Sequence, residues 1–316
     1  MDGVFFKQLG LPQAKYNLEV GSGSHGEQTG KMLIGVEKVL KAEKPSVVLV
    51  EGDTNTVLAG ALAAVKLGLK VGHVEAGLRS YDRQMPEEIN RILVDHCSDF
   101  LFAPTEKARQ TLLGEGVNKD KIFVTGNTIV DAVYQNLEIA KKKFDVFSEF
   151  NVDVGGYFLA TVHRQENVDN EKRLRGITEG LEMVCKKFGL PVLYPIHPRA
   201  KKQLKKFGII FNSVEIVKPL DYLRFLLLES GAKLVFTDSG GVQEETCILG
   251  VPCVTLRYNT ERPETIDVGS NVLAGTDPHK IVEKASFMMG RGGWANPYGD
   301  GRAGSRIVEI LKWKLS

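Results

Sequence analysis

Three carboxylates stand just after successive apolar runs. Asp53 follows the run 46–50 (SVVLV) within EGDTNT, Glu75 follows the run 70–74 within HVEAGLR, and Glu87 opens a helix behind Pro86 with Glu88 beside it. A single acid in such a place is an ordinary helix cap. Three at neighbouring strand ends can converge, and close carboxylates push one another's pKa values apart. That suits acid/base chemistry on a carbon–hydrogen bond. Further along, Asp238-Ser239-Gly240-Gly241 follows the run 233–237 and opens a helix that carries Glu244 and Glu245. Free backbone N–H groups and the helix dipole attract phosphate there. Ser239 adds a hydroxyl donor, Gly240 and Gly241 allow close approach, and Glu245, about one turn in, can accept from a ribose diol. A capped helix with an acidic first turn is the plain alternative; the density of special residues favours a nucleotide-diphosphate site. His163-Arg164 after the run 157–162, and His197-Pro198-Arg199 after 191–195, place cations where a leaving phosphate could be neutralised.

Two other patterns carry less. Gly21-Ser22-Gly23-Ser24-His25-Gly26 matches G-x-G-x-x-G, with Glu51 and Asp53 as loose candidates for the acid of a dinucleotide site. In a chain with 33 glycines a Gly/Ser-rich strand-to-helix loop is the better reading. Gly30-Lys31 is no P-loop, because Met32 stands where Ser or Thr must bind magnesium. His73 and His96 read as structural, and no His/Cys set has metal-site spacing.

The elements that must position these residues form a regular rhythm. Strands are expected at 16–20, 46–50, 70–74, 99–103 and 121–124, with helices at 55–67, 87–97, 105–113 and 130–143. The rhythm breaks at 144–156 (FDVFSEFNVDVGG) and resumes with 157–162, a helix at 170–187, then 191–195, 215–217, 222–229, 233–237 and 251–256. Continuous apolar strands alternating with helices imply parallel sheets covered on both faces. A boundary near residue 150 divides the chain into two α/β units, and a deep cleft between them is expected to gather the residues that follow strands.

Composition bounds the rest. The chain has 316 residues, 43% hydrophobic and 25% charged, with 41 basic against 39 acidic residues. So small a surplus predicts no nucleic-acid surface. No apolar stretch approaches the roughly 20 residues that span a bilayer. Cys97, Cys185, Cys247 and Cys253 lie in or beside apolar runs, as reduced thiols of a cytoplasmic protein would.

The motifs EGDT, HVEAGLR, PEEINR, HRQEN, HPR, DSGGVQEE and TERPE follow one another in this order. In this series, and over essentially its whole length, the chain resembles the non-hydrolysing UDP-N-acetylglucosamine 2-epimerases. The resemblance implies the glycosyltransferase-B fold: two Rossmann-like domains facing a cleft, residues 1–149 on the carboxylate side and 150–316 on the UDP side. It implies interconversion of UDP-GlcNAc and UDP-ManNAc by anti-elimination of UDP to 2-acetamidoglucal and re-addition, in polysaccharide biosynthesis, by a homodimer. Neither a cofactor nor a metal is implied. Asp53, Glu75 and Glu87 match the family's acid/base carboxylates, with base, acid and positioning roles not apportioned. His163 matches its cleft histidine. Phe225, Ser239, Glu245 and Arg262 match its UDP contacts, and Arg91, Arg164, His197, Gly240 and Gly241 are grouped with them as substrate-binding. A glycosyltransferase of the same fold is the rival reading. It predicts an acceptor site and fewer carboxylates than HVEAGLR and PEEINR supply.

Members of that family open with a strand, a G-T-R-P-E loop whose Arg contacts the nucleotide sugar, and a helix leading to a second strand. Nothing in this chain matches those parts, and residues 1–6 resemble the helix that follows them. An N-terminal truncation of about 40 residues is therefore expected, leaving the first domain without its first strand–helix–strand. The segments 16–20 and 46–50 would then stand roughly 14 Å apart, with 46–50 an aggregation-prone edge. Such a chain is expected to be poorly soluble, and to bind UDP with little turnover.

Overall fold

The computed structural model describes residues 9–316; the helix expected at residues 1–6 lies outside them. Two compact units result, one of Met1–Asp131 with Tyr298–Ser316, the other of Ala132–Pro297. The single boundary expected near residue 150 is thus replaced by two crossings. The physical reason is the last helix, whose apolar face returns to the first sheet.

In the first unit, α1 (His25–Glu43) precedes β1 (Val47–Glu51), α2 (Asn55–Lys66), β2 (Lys70–Val74), α3 (Pro86–Cys97), β3 (Phe100–Ala103), α4 (Glu106–Gly114) and β4 (Ile122–Val124). The four strands are parallel in the order β1-β2-β3-β4. On one face, Ala61, Ala64 and Val57 of α2 meet Val50 and Val71 in one apolar cluster. The small side chains of α2 let helix and sheet approach closely: a Cβ on Gly60 would stand 3.2 Å from Val50 Cγ1. On the other face, Ile307 and Leu311 of the C-terminal helix pack on Val74, Phe100 and Phe102.

The strand expected at residues 16–20 does not form. These residues join no ladder, and the outer edge of β1 has no partner among the described residues. Side chains hold the segment to α1 instead: Tyr16 and Lys15 both bond Glu43, and Leu18 fills the space over Gly35. Alternating polarity alone makes no strand where no neighbouring strand receives the N–H and C=O groups.

The second unit begins in α5 (Thr128–Lys143), which starts at the end of the first. It continues through α6 (Val146–Glu149), β5 (Phe158–Thr161), α7 (Gln165–Val168), α8 (Glu171–Phe188), β6 (Val192–Pro195), α9 (Pro198–Lys206), β7 (Val214–Val217), α10 (Tyr222–Gly231), β8 (Leu234–Thr237), α11 (Gly240–Leu249), β9 (Cys253–Thr255), α12 (Pro263–Asp267), β10 (Asn271–Leu273) and α13 (Pro278–Met288). The chain then crosses back to α14 (Ala303–Leu315). The six parallel strands run β10-β9-β8-β5-β6-β7. Phe158, Phe236, Tyr194, Val254, Leu174 and Leu181 anchor its core. From β5 the sheet grows one way through β6 and β7 and the other way through β8. The connections leaving β5 and β8 therefore diverge. Such a switch point, at the carboxyl ends of the strands, is where open α/β sheets bind ligands.

Candidate active site

In the first unit the acids gather at the carboxyl ends of β1 and β2 and at the start of α3. Gly52 N–H donates to Val74 O at 3.2 Å, tying the turn after β1 to the end of β2. Glu75, next in line, adopts φ 69°, a left-handed conformation that costs a non-glycine residue on the order of 1 kcal/mol. Its carboxylate lies beside the Gly52 turn, since a Cβ there would stand 3.6 Å from Glu75 Oε2. Arg91, one turn into α3, donates from Nε (3.1 Å) and Nη2 (2.7 Å) to Asp53 Oδ2. Its Nη1 reaches Glu88 Oε2 at 2.7 Å. Asn90 fixes the backbone of Asp53 through its carbonyl at 2.8 Å.

Adjacent acids on α3 have separate tasks. Glu88 is buried and accepts from Ser80 N, Ser80 Oγ and Tyr81 N. Burial works to raise its pKa, but these donors and Arg91 outweigh it and hold the carboxyl below its usual range. Glu88 thus clamps the 80–81 loop. Glu87 is half-buried on the first turn of α3, with no hydrogen bond or ion pair among the described residues.

Beneath these acids runs a buried chain of charge. His73 presents Nδ1 to Asp95 Oδ1 at 2.6 Å and Nε2 to Gly52 O at 2.9 Å. Asp95 also accepts from Gly77 N at 3.1 Å and pairs with Arg79 at 2.8 Å. Arg79 in turn grips Glu115 through Nε and Nη2. Gly77 is required here: it holds φ 83°, and a Cβ would lie 2.3 Å from Ala108 O. His73 is structural, as its place in the pattern suggests. His96 is exposed and 3.5 Å from Glu115.

In the second unit the switch point between β5 and β8 carries the expected turns. Asp238, fully buried, accepts from His163 N (3.0 and 3.2 Å), Arg164 N (3.0 Å) and Asn167 Nδ2 (3.1 Å). Its Oδ1 also lies 3.1 Å from His163 Nδ1. His163 Nε2 has no partner among the described residues. Ser239 caps α11, accepting from Val242 N. A Cβ on Gly240 would meet Glu261 Oε2 at 3.8 Å and Arg164 Nη2 at 4.0 Å. The Arg164 guanidinium therefore stands over the Ser239-Gly240-Gly241 turn, adding positive charge to the positive end of α11. His197 caps α9 and its ring centroid is 6.3 Å from that of His163.

Glu261 is held by Arg257, which pulls its pKa down to about 2 against the effect of burial. Arg262 pairs with Glu244 at 2.8 Å. Tyr222, Phe225 and Glu229 share one face of α10, being three and four residues apart. Glu245 is buried, and burial lifts its pKa to about 7 although the Tyr222 hydroxyl and the Glu229 carboxyl pull it down.

The structure thus groups Asp53 with Arg91 and the Gly52 turn with Glu75. It also groups His163, Arg164 and His197 with Ser239 and Gly240, and Glu245 with the Phe225 face. Asp238 opens the phosphate-loop motif in the sequence but had no role of its own there, and Glu229 was not singled out. Asp238 carried a signal, as an acid directly behind an apolar run; Glu229 carried none beyond being charged in an apolar helix.

Two all-parallel α/β sheets, one with a helix-capped glycine turn at its switch point, define the glycosyltransferase-B type of fold. A family model described as UDP-N-acetylglucosamine 2-epimerase matches residues 1–312. The chain belongs to this family of epimerases. It is similar to the UDP-N-acetylglucosamine 2-epimerase of Methanocaldococcus jannaschii, at 56% identity over 99% of this chain and 88% of that protein. A crystal structure of that enzyme in complex with UDP-GlcNAc and UDP matches with a TM-score of 0.84 over 99% of this chain and 88% of the other. A UDP-2,3-diacetamido-2,3-dideoxy-D-glucuronate 2-epimerase of Pseudomonas aeruginosa is 42% identical over 98% of this chain and 87% of its own length.

Proposed function

We propose that the chain interconverts UDP-N-acetylglucosamine and UDP-N-acetylmannosamine. One carboxylate of Asp53, Glu75 and Glu87 removes the proton from C2. The C1–oxygen bond breaks with its electron pair leaving on UDP, and C1=C2 forms as 2-acetamidoglucal. A proton returned to C2 from the other face and re-addition of UDP at C1 give the epimer. Asp53, gripped by Arg91, has a fixed direction. Glu75 is fixed by its left-handed turn. Glu87 stands at a helix N-terminus, where negative charge is favoured.

The arrangement of Arg164 and His163 over the capped Ser239-Gly240-Gly241 turn carries this reading. It supplies cations, backbone N–H groups and a helix dipole to a diphosphate that gains charge as it departs. Phe225, Glu245, Arg262 and His197 complete the UDP contacts. The enzyme works as a cytoplasmic homodimer. No helix among the described residues is long and apolar enough to cross a membrane.

Incubation with UDP-GlcNAc without nicotinamide, followed by proton NMR of the anomeric region, tests the reading. Appearance of UDP-ManNAc is expected. Unchanged UDP-GlcNAc overturns it, and turnover of a diacetamido or uronic UDP-sugar alone moves the substrate toward that of the Pseudomonas relative.

A further inference from the structure

Glu229, in the last turn of α10, is 0% exposed. Neither of its carboxyl oxygens accepts a hydrogen bond from a donor. From α11, Glu245 lies within hydrogen-bonding reach of it. The other groups around the pair are accounted for. The Tyr222 hydroxyl lies within hydrogen-bonding reach of Glu245 and of Asn136. The Tyr157 hydroxyl donates to Leu228 O and so does not serve Glu229. The Cys253 thiol of β9 is buried and its pKa is pushed up to about 12, chiefly by that burial. Glu244, next to Glu245, is matched by Arg262. Neither Glu229 nor Glu245 forms an ion pair among the described residues.

Ionised carboxylates only accept hydrogen bonds. Two of them side by side in a buried pocket without a cation repel each other, and a bond between them exists only if one keeps its proton. Glu229 is the deeper and has no other donor, whereas Glu245 already receives the Tyr222 hydroxyl. We propose that Glu229 is a positioning residue, held as the neutral acid, that donates a hydrogen bond to Glu245 and so presents Glu245 as an ionised acceptor for hydroxyl groups of the bound nucleotide. The inference rests on the reading above that Glu245 contacts UDP.

Burial, then the Glu245 charge, drives the Glu229 carboxyl well above the usual carboxylate range. Glu245 is raised to about 7, chiefly by burial, with the Tyr222 hydroxyl and Glu229 holding it from going higher. Below that pH Glu245 takes a proton and loses the charge that makes it a strong acceptor. Removing the donor on Glu229 moves that loss to higher pH.

Three variants and one spectrum test this. Glu229→Gln keeps an N–H donor without a titratable proton; Glu229→Leu has none. Calorimetry of UDP on wild type and both, from about pH 6 to 8, is expected to leave Glu229→Gln close to wild type at neutral pH. Glu229→Leu should be about tenfold weaker, with its pH midpoint shifted upward. The nucleotide's own ionisation is common to all three. Infrared spectra near pH 8 should show a protonated-carboxyl band in wild type that Glu229→Gln lacks. Equal affinity of Glu229→Leu and wild type, equal weakness of both variants, or absence of that band overturns the inference. Glu245→Ala separates the two readings: if it binds UDP as wild type does, the nucleotide contact fails, while the infrared band still decides where the proton sits.

Discussion

The two units differ in one buried pair of acids. In the first, Asp95 is matched by His73 and Arg79, and Glu88 by Arg91 and three loop donors. In the second, Glu229 and Glu245 face each other without a cation, and one proton must do what an arginine does in the first. Glu88, so matched, is held below the usual carboxylate range and keeps its loop in place. An unmatched pair becomes sensitive to pH near neutrality. Charged clamps thus position the carboxylates proposed for chemistry, while the proposed neutral donor Glu229 would tune the proposed nucleotide contact of Glu245.

The strongest way to break this contrast is to remove a matched acid. Asp95→Ala leaves the buried His73 Nδ1 without its partner and Arg79 with Glu115 alone, and should cost about 3–5 kcal/mol. Urea unfolding of the variant checks this, and a loss too small to resolve would mean the chain of charge is incidental. Asp53→Asn is expected to lower turnover by about 10²–10⁴-fold with UDP affinity unchanged, read by NMR rates and calorimetry. A variant that loses UDP while keeping its rate reverses the roles given to the two sets. Glu245→Ala should weaken UDP by about 1–3 kcal/mol and leave the fold intact.

The smallest effect sharpens the contrast through stability. Because the folded Glu229 carboxyl lies well above its ordinary range, chiefly through burial, the unfolded chain releases that proton first as pH rises. The group's contribution is full below the ordinary carboxylate range and is lost as pH rises toward neutrality and beyond. Glu229→Gln has no such loss. Its melting temperature relative to wild type should therefore climb between about pH 5 and pH 8. Parallel curves would contradict the neutral acid.

The strands were largely legible because buried parallel strands are short apolar runs. The residues behind them were legible because ligands meet such sheets at strand ends. Residues 16–20 (YNLEV) misled because they alternate as a strand does, while pairing is decided by what lies alongside. The last helix was beyond reach for a related reason: Ile307 and Leu311 show an apolar face, but nothing local says that Val74, Phe100 and Phe102 receive it. Within the site, Asp53, Glu75 and His163 stood out by type and position. The left-handed turn at Glu75, the hold of Asp238 on His163 and the facing of Glu229 with Glu245 depend on contacts 75 and 16 residues apart in the last two cases. No window of sequence carries those.

Proton chemistry at C2 is the central claim, and the fate of that hydrogen tests it most directly. UDP-GlcNAc turned over in deuterated water without nicotinamide should yield UDP-ManNAc carrying deuterium at C2. The recovered UDP-GlcNAc should gain the same label, because the reaction runs through a common glucal. Epimer formed with its original C2 hydrogen, or formed only when nicotinamide is added, would contradict the account.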